Sequence, residues 1–218
     1  MKLFNTFLIA SCLVTLTTLA SAQGSLKSIP APSGGWAELS LQYSFCSEYE
    51  DTWADAYDEF NVYGVAGSLA FPILNDIPVY ARANLGLIHS TNRNMDEDYV
   101  DSYSYYTSLL PSAEAGYMLN IYKSISLFPY FGLVSRLNLY GRDVFVPEEG
   151  AVRARDRFKD VYDDDHMRRF QLGWKVGAEL HVSSVLVGLF MTNDLTHVYA
   201  GDDPTRSASL GFKVGYKF

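Results

Sequence analysis

The sequence predicts an all-β chain, an eight-stranded antiparallel up-and-down transmembrane β-barrel with short turns on one rim and long loops on the other. Three observations predict it. Eight segments of barrel-spanning length alternate apolar residues with small or polar ones, the period-2 signature of strands. The links between them alternate in length, long then short. Gly64, Gly86, Gly116, Gly132, Gly173, Gly177, Gly188, Gly211 and Gly215 share the polar parity, against Gly67 on the apolar one. A narrow lumen holding long charged side chains needs such small neighbours, whereas a solvated outer surface does not.

The chain begins with Lys2, an apolar run from Leu3 to Leu19 and the small-residue site Ala20-Ser21-Ala22. This reads as a cleaved secretory signal peptide over residues 1–22. A lipidation site at Cys12 is the weaker reading, because most of the apolar run would follow it. With the signal removed, Cys46 is the single cysteine and no internal disulfide forms. Residues 23–35, rich in Ser, Pro and Gly, read as an extended N-terminal tail, and residues 36–218 as the barrel domain. No later run reaches the ~20 apolar residues of a membrane-spanning helix. The net charge of -8 argues against nucleic acid as a partner. Much of that acidity sits in two inter-strand loops, at Glu48 to Glu59 and Asp96 to Asp101.

The first strand, residues 36–45, sets Leu39, Leu41, Tyr43 and Phe45 against Glu38, Ser40, Gln42 and Ser44. The second (61–71) sets Tyr63, Val65, Leu69 and Phe71 against Gly64, Ala66 and Ser68. In the third (79–89) Leu85 and Leu87 oppose Arg82, Asn84 and Gly86. The fourth (104–119) opposes Leu109, Ala113 and Tyr117 to Ser112 and Glu114, and the fifth (125–140) opposes Leu133 and Leu137 to Gly132 and Arg136. The sixth (168–182) carries Lys175 and Glu179 on its polar side, the seventh (185–195) Thr192 and Asp194, and the eighth (207–218) Lys213. Pro111 and Pro129 lack the N-H that a closed barrel needs, which predicts a local bulge beside them.

Alternation by itself also fits a soluble eight-stranded barrel with its apolar face inward. The glycine parity decides against it, as do Tyr63, Phe71, Tyr117, Phe170, Tyr216 and Phe218, placed near strand ends where a membrane girdle would be. Leu210, Phe212, Val214, Tyr216 and Phe218 resemble the C-terminal insertion signal of bacterial outer-membrane proteins. With the signal peptide and eight strands, the mature chain resembles the small OmpA/OmpX-type, porin-family barrels. That resemblance implies the outer membrane as location, the barrel assembly machinery and lipopolysaccharide as partners, and short turns on the periplasmic side.

The inward parity gathers Glu38, Arg82, Glu114, Arg136, Lys175, Glu179 and Lys213, which are expected to pair in one lumen network, because unpaired buried charge is costly. Arg82 is expected level with Glu114, and Lys213 or Lys217 beside Glu38. Arg153, Arg155, Arg157 and Lys159 alternate after a turn at 147–150, a hairpin whose basic stripe suits lipopolysaccharide phosphates or is neutralised by nearby aspartates. His89 and Ser90 suggest an esterase pair, but consecutive strand residues face opposite ways. Asp163 to His166 and Asp202-Asp203 lack the spacing of a cation loop. The expectation is a monomeric, non-enzymatic barrel without cofactor or metal, with a structural or surface-interaction role through its loops. The alternatives are a lipid-modifying hydrolase and a small-solute pore.

Overall fold

The computed structural model describes residues 34–49, 59–74, 77–94, 101–146, 152–156, 167–199 and 204–218. The expected signal peptide and all of the tail before Gly34 lie outside them. The strands are β1 (Trp36–Tyr49), β2 (Glu59–Pro72), β3 (Val79–Asn94), β4 (Asp101–Tyr117), β5 (Leu119–Tyr122), β6 (Ile125–Val146), β7 (Arg153–Asp156), β8 (Phe170–Val182), β9 (Val185–Asp194) and β10 (Arg206–Lys217).

All pairings are antiparallel, in the order β4-β3-β2-β1-β10-β9-β8-β6, and β4 also pairs with β6. The sheet therefore closes on itself. Two short strands are appendages: β5 continues β4 beyond Met118, and β7 folds back on the upper part of β6. This is a closed eight-stranded up-and-down barrel. Closure removes the exposed edges that a sheet of this apolarity would otherwise present.

The alternation read from the sequence maps directly onto the two faces. Leu41, Leu69, Leu85, Leu133, Leu189, Leu210 and Val214 point outward; Leu85 is 55% exposed and Leu189 66%. Glu38, Arg82, Glu114, Lys175, Glu179 and Lys213 point inward and are buried. An apolar exterior around a charged interior is the inverse of a soluble barrel and suits a lipid environment. On β2, Tyr63 and Phe71 bracket this exterior. Eight residues of tilted strand between them give about 20 Å of height, close to a hydrocarbon band.

Leu85 pairs with Gly67, midway between those two aromatics. Leu85→Arg is therefore expected to cost about 2–4 kcal/mol of stability in a bilayer, by the depth dependence of cations on a lipid face. Urea titration in phospholipid vesicles measures it, and a loss below about 0.5 kcal/mol contradicts a lipid-facing wall at Leu85.

The two rims differ. At one, the strands join through Lys123-Ser124 and Ser183-Ser184, with left-handed backbone at Lys123 (φ 36°) and Ser183 (φ 55°), as tight hairpins require. Trp36 and Lys217 lie at this rim as well. At the other rim the wall is uneven: β3 has 16 residues, β4 17 and β6 22, against 10 for β9. About 9–11 residues span a bilayer, so the upper parts of these three strands rise above it.

Two expectations need correction. Neither register shift falls at a proline: the β4/β6 register shifts between Thr107 and Ser108 and the β5/β6 register between Asn120 and Tyr122, while the same register holds on both sides of Pro111. Pro129 is accommodated instead where β4 stops at Tyr117 and β5 resumes at Leu119, so the missing N-H faces an interrupted ladder. The link expected at Asn120 to Ser124 is also shorter, because Asn120 to Tyr122 continue as strand.

Candidate functional site

Six charges from five strands meet inside the lower half of the barrel: Glu38 on β1, Arg82 on β3, Glu114 on β4, Lys175 and Glu179 on β8, and Lys213 on β10. Register brings the first contact, since Arg82 stands directly opposite Glu114. Arg82 Nε donates to Glu114 Oε2 at 2.7 Å, and Nη2 also pairs with that carboxylate. Arg82 Nη1 donates to Glu179 Oε2 at 2.8 Å, with Nη2 2.7 Å from Glu179 Oε1. One planar guanidinium thus forks onto two carboxylates, which the point charge of a lysine cannot do.

The lysines complete the ring. Lys175 Nζ donates to Glu114 Oε1 at 2.8 Å; Lys213 Nζ donates to Glu38 Oε1 at 2.9 Å and lies 2.7 Å from Glu179 Oε1. Three carboxylates face three cations, so the network is formally neutral. Arg82 is 2% exposed and Glu179 0%, and neutrality is what makes such burial tolerable. Trp36 Nε1, Ser112 Oγ and His181 Nε2 add further contacts to Glu38, Glu114 and Glu179.

Aromatic rings pack against the same charges. Arg82 Cζ lies 4.4 Å from the Tyr130 ring centroid and 5.1 Å from that of Phe128. Lys175 and Lys213 approach the Tyr130 ring at 5.6 and 5.8 Å. Toward the short-turn rim, Trp36, Tyr80, Met118, Phe128, Tyr130 and Phe190 form a buried cluster, with Trp36 and Tyr80 centroids 4.7 Å apart. The glycines make the room. A Cβ at Gly188 would fall 2.6 Å from Glu179 Cγ, and one at Gly177 would fall 2.5 Å from Tyr130 Oη.

Arg136 is not part of this network. Lys175 stands opposite Gly132 on β6, and Arg136 is four residues further up, about 13 Å along the strand. There it forms a second group: Nη1 donates to Gln171 Oε1 at 3.2 Å and to Ser207 Oγ at 3.1 Å, and lies 3.8 Å from Asp194 Oδ2. A cavity of about 20 Å³ lined by Gln42, Asn84, Ser112, Arg136, Lys175 and Thr192 separates the two groups, with room for about one water. Above them, Cys46, Phe60, Val62, Ile88, Tyr106, Met167 and Val198 fill the lumen with a second apolar cluster. From rim to rim the interior is therefore aromatic, ionic, polar and apolar in turn.

Other candidates fall elsewhere. His89 is exposed on the outer wall and Ser90 is buried inside, so they share no site; His89 Nδ1 lies 3.0 Å from Thr107 Oγ1 instead. The insertion-signal residues Leu210, Phe212, Val214, Tyr216 and Phe218 are all exposed on β10 and just beyond it. Arg153 and Arg155 lie on β7, paired to Phe145 and Asp143. Their side chains lie outside the described residues, as do Arg157, Lys159, Asp163 to His166, Asp202 and Asp203. Among the described residues, no group of three or more His, Cys, Asp and Glu is placed to hold a metal.

Reading the alternation for its polar positions passed over Trp36, Tyr80, Phe128, Tyr130, His181 and Phe190. A signal existed. Phe128 and Tyr130 share the parity of Gly132 and Arg136, within the continuous apolar run Leu127 to Leu133 where alternation is lost. Aromatics on a strand's inward parity beside Arg and Lys suggest ring-to-cation packing.

No family model matches the chain. No curated protein matches it either. Among solved structures it is similar to Ail, the attachment invasion locus protein of Yersinia pestis, in complex with the heparin analogue sucrose octasulfate: TM-score 0.48, 14% identity, covering 85% of this chain and 99% of that one. It is also similar to Neisserial surface protein A (TM-score 0.44, 14% identity, 85% and 98% covered). A third is the N-terminal β-barrel domain of Pseudomonas aeruginosa OprF (TM-score 0.35, 13% identity, 84% and 99% covered). With TM-scores below 0.5, the assignment of the fold rests on the closed ladder of strands itself.

Proposed function

We propose that this chain is a monomeric outer-membrane barrel with a sealed lumen, whose role is structural and in surface interaction through its loop rim. The observation that carries the reading is the neutral six-charge network packed on Tyr130, which occupies the lumen where a pore would need water. The outward apolar band and its aromatic borders support residence in a lipid bilayer. Export by a cleaved signal peptide over residues 1–22 and insertion by the barrel assembly machinery belong to the same reading, supported by the sequence patterns at the two ends of the barrel. The taller strands β3, β4 and β6 and the β6/β7 hairpin carry the interaction surface away from the membrane.

Solute flux tests the seal. Proteoliposomes carrying the folded chain are expected to swell in small sugars no faster than empty vesicles. Swelling that scales with protein content supports the small-solute pore instead.

A further inference from the structure

The β4/β6 bulge has an effect on the outer wall. Thr107 pairs with Tyr140 and Ser108 with Asn138, leaving Leu139 as the extra residue. Below the bulge the odd-numbered residues of β6 face outward, as Leu133, Leu137 and Leu139 do. Above it the parity inverts. Tyr140 and Arg142 are exposed, while Gly141 and Asp143 turn inward, and Asp143 accepts a hydrogen bond from Ser104 Oγ at 2.7 Å. Without the extra residue Tyr140 and Arg142 would point into the lumen. Bulges re-aim side chains in this way.

The re-aimed pair joins an aromatic surface already facing out. Arg142 stands opposite Tyr105 in register, and its Cζ lies 5.9 Å from the Tyr140 ring centroid. Tyr105 is 6.0 Å from Tyr140, 6.0 Å from His89, and stacked on Tyr103 at 6.3 Å with an interplanar angle of 18°. Beside them runs a groove of about 420 Å³ lined by Asn61, His89, Thr91, Tyr103 and Tyr105, within the usual size of small-ligand sites. It opens on the upper parts of β3 and β4, above the apolar band.

Aromatic faces with amide and hydroxyl groups around them suit sugar rings, and a guanidinium at the edge suits phosphate. The height selects the source. His89 stands opposite Tyr63, the upper aromatic border of the band, so the rings of an outer-leaflet headgroup that rise above the hydrocarbon come level with Tyr103 and Tyr105. We infer that the wall formed by β2, β3, β4 and the bulged β6 binds the phosphorylated saccharide headgroup of an outer-leaflet glycolipid. Its rings lie on Tyr103, Tyr105 and His89, and a phosphate sits at Arg142. The inference rests on the proposed outer-membrane location, and it is independent of the sealed lumen.

The test uses the full chain in lipid nanodiscs or detergent, with three probes: rough lipopolysaccharide, its deacylated phosphorylated oligosaccharide, and phosphatidylglycerol vesicles. The first two are expected to bind and the third is not. Arg142→Ala should weaken binding about tenfold, the scale of one charge-assisted contact. Tyr105→Ala should weaken it about fivefold. Removing the phosphates from the probe should weaken binding to the unsubstituted chain and leave Arg142→Ala unaffected. Retained β-sheet circular dichroism and a heat-dependent shift on gels report folding, and Tyr105→Phe, which keeps the ring, should bind within about twofold. Equal binding of phosphatidylglycerol, or unchanged affinity in Arg142→Ala and Tyr105→Ala, overturns the site. So does loss confined to an Arg153→Ala/Arg155→Ala variant, which assigns the contact to the hairpin. Solute swelling by the unsubstituted chain would defeat the sealed-lumen reading and leave these outcomes unchanged.

Discussion

Arg82→Met is expected to destabilise the barrel by about 3–5 kcal/mol, the scale seen when one member of a buried ion group is removed. Among the described residues, Arg82 is the only side chain that touches all three carboxylates, Glu38, Glu114 and Glu179. Methionine fills similar space but leaves three acids with two cations, Lys175 and Lys213, in a site without bulk water. A second substitution separates charge imbalance from lost packing. Adding Glu179→Gln leaves two matched pairs, Lys213 with Glu38 and Lys175 with Glu114, whose contacts are 2.9 and 2.8 Å. The double variant should recover part of the loss. Unfolding by urea in phospholipid vesicles measures both. An Arg82→Met variant within about 0.5 kcal/mol of the parent would show that the charges are not held as a unit.

Tyr130→Ala is the second large effect, about 3–5 kcal/mol by analogy with other buried aromatic truncations. The ring is 3% exposed and lies beneath Arg82, Lys175 and Lys213, so its loss removes packing and three cation contacts together. It also opens space across the charged level of the lumen. Tyr130→Phe should stay within about 0.5 kcal/mol, because Oη makes no hydrogen bond among the described residues and the ring is kept. Intermittent ion leakage is expected from the alanine variant and not from the phenylalanine one. Equal losses in the two variants would assign the role to the hydroxyl, against the packing described.

How much of this was legible depended on whether a feature is carried by parity, by height or by composition. Parity is legible. Glu38 between Ala37 and Leu39, or Lys213 between Phe212 and Val214, points inward because its neighbours suit lipid. The Arg82/Glu114 register follows from folding adjacent antiparallel strands across one loop. Height is harder. Arg136 shares the inward parity with Lys175, but parity does not reveal that about 13 Å of strand divides them. The bulge was hidden because Leu139 and Tyr140 are both suited to an outer wall, so the sequence shows no break where the extra residue enters. Prolines suggested a bulge by a sound rule at the wrong place: Pro129 lies opposite the end of a strand, where no ladder bond is owed. Tyr130 escaped notice because an inward aromatic in an apolar run looks like any buried strand residue until the cations above it are located.

The central claim is that ionic and aromatic side chains seal the lumen. Single-channel recording of the purified chain in a planar lipid bilayer tests it most directly, with Tyr130→Ala recorded alongside. A flat baseline is expected from the parent chain under applied voltage in either direction, and stepwise openings from the alanine variant. A stable open level in the parent chain, carrying steady ion current with Arg82, Glu114, Glu179 and Tyr130 intact, would contradict it.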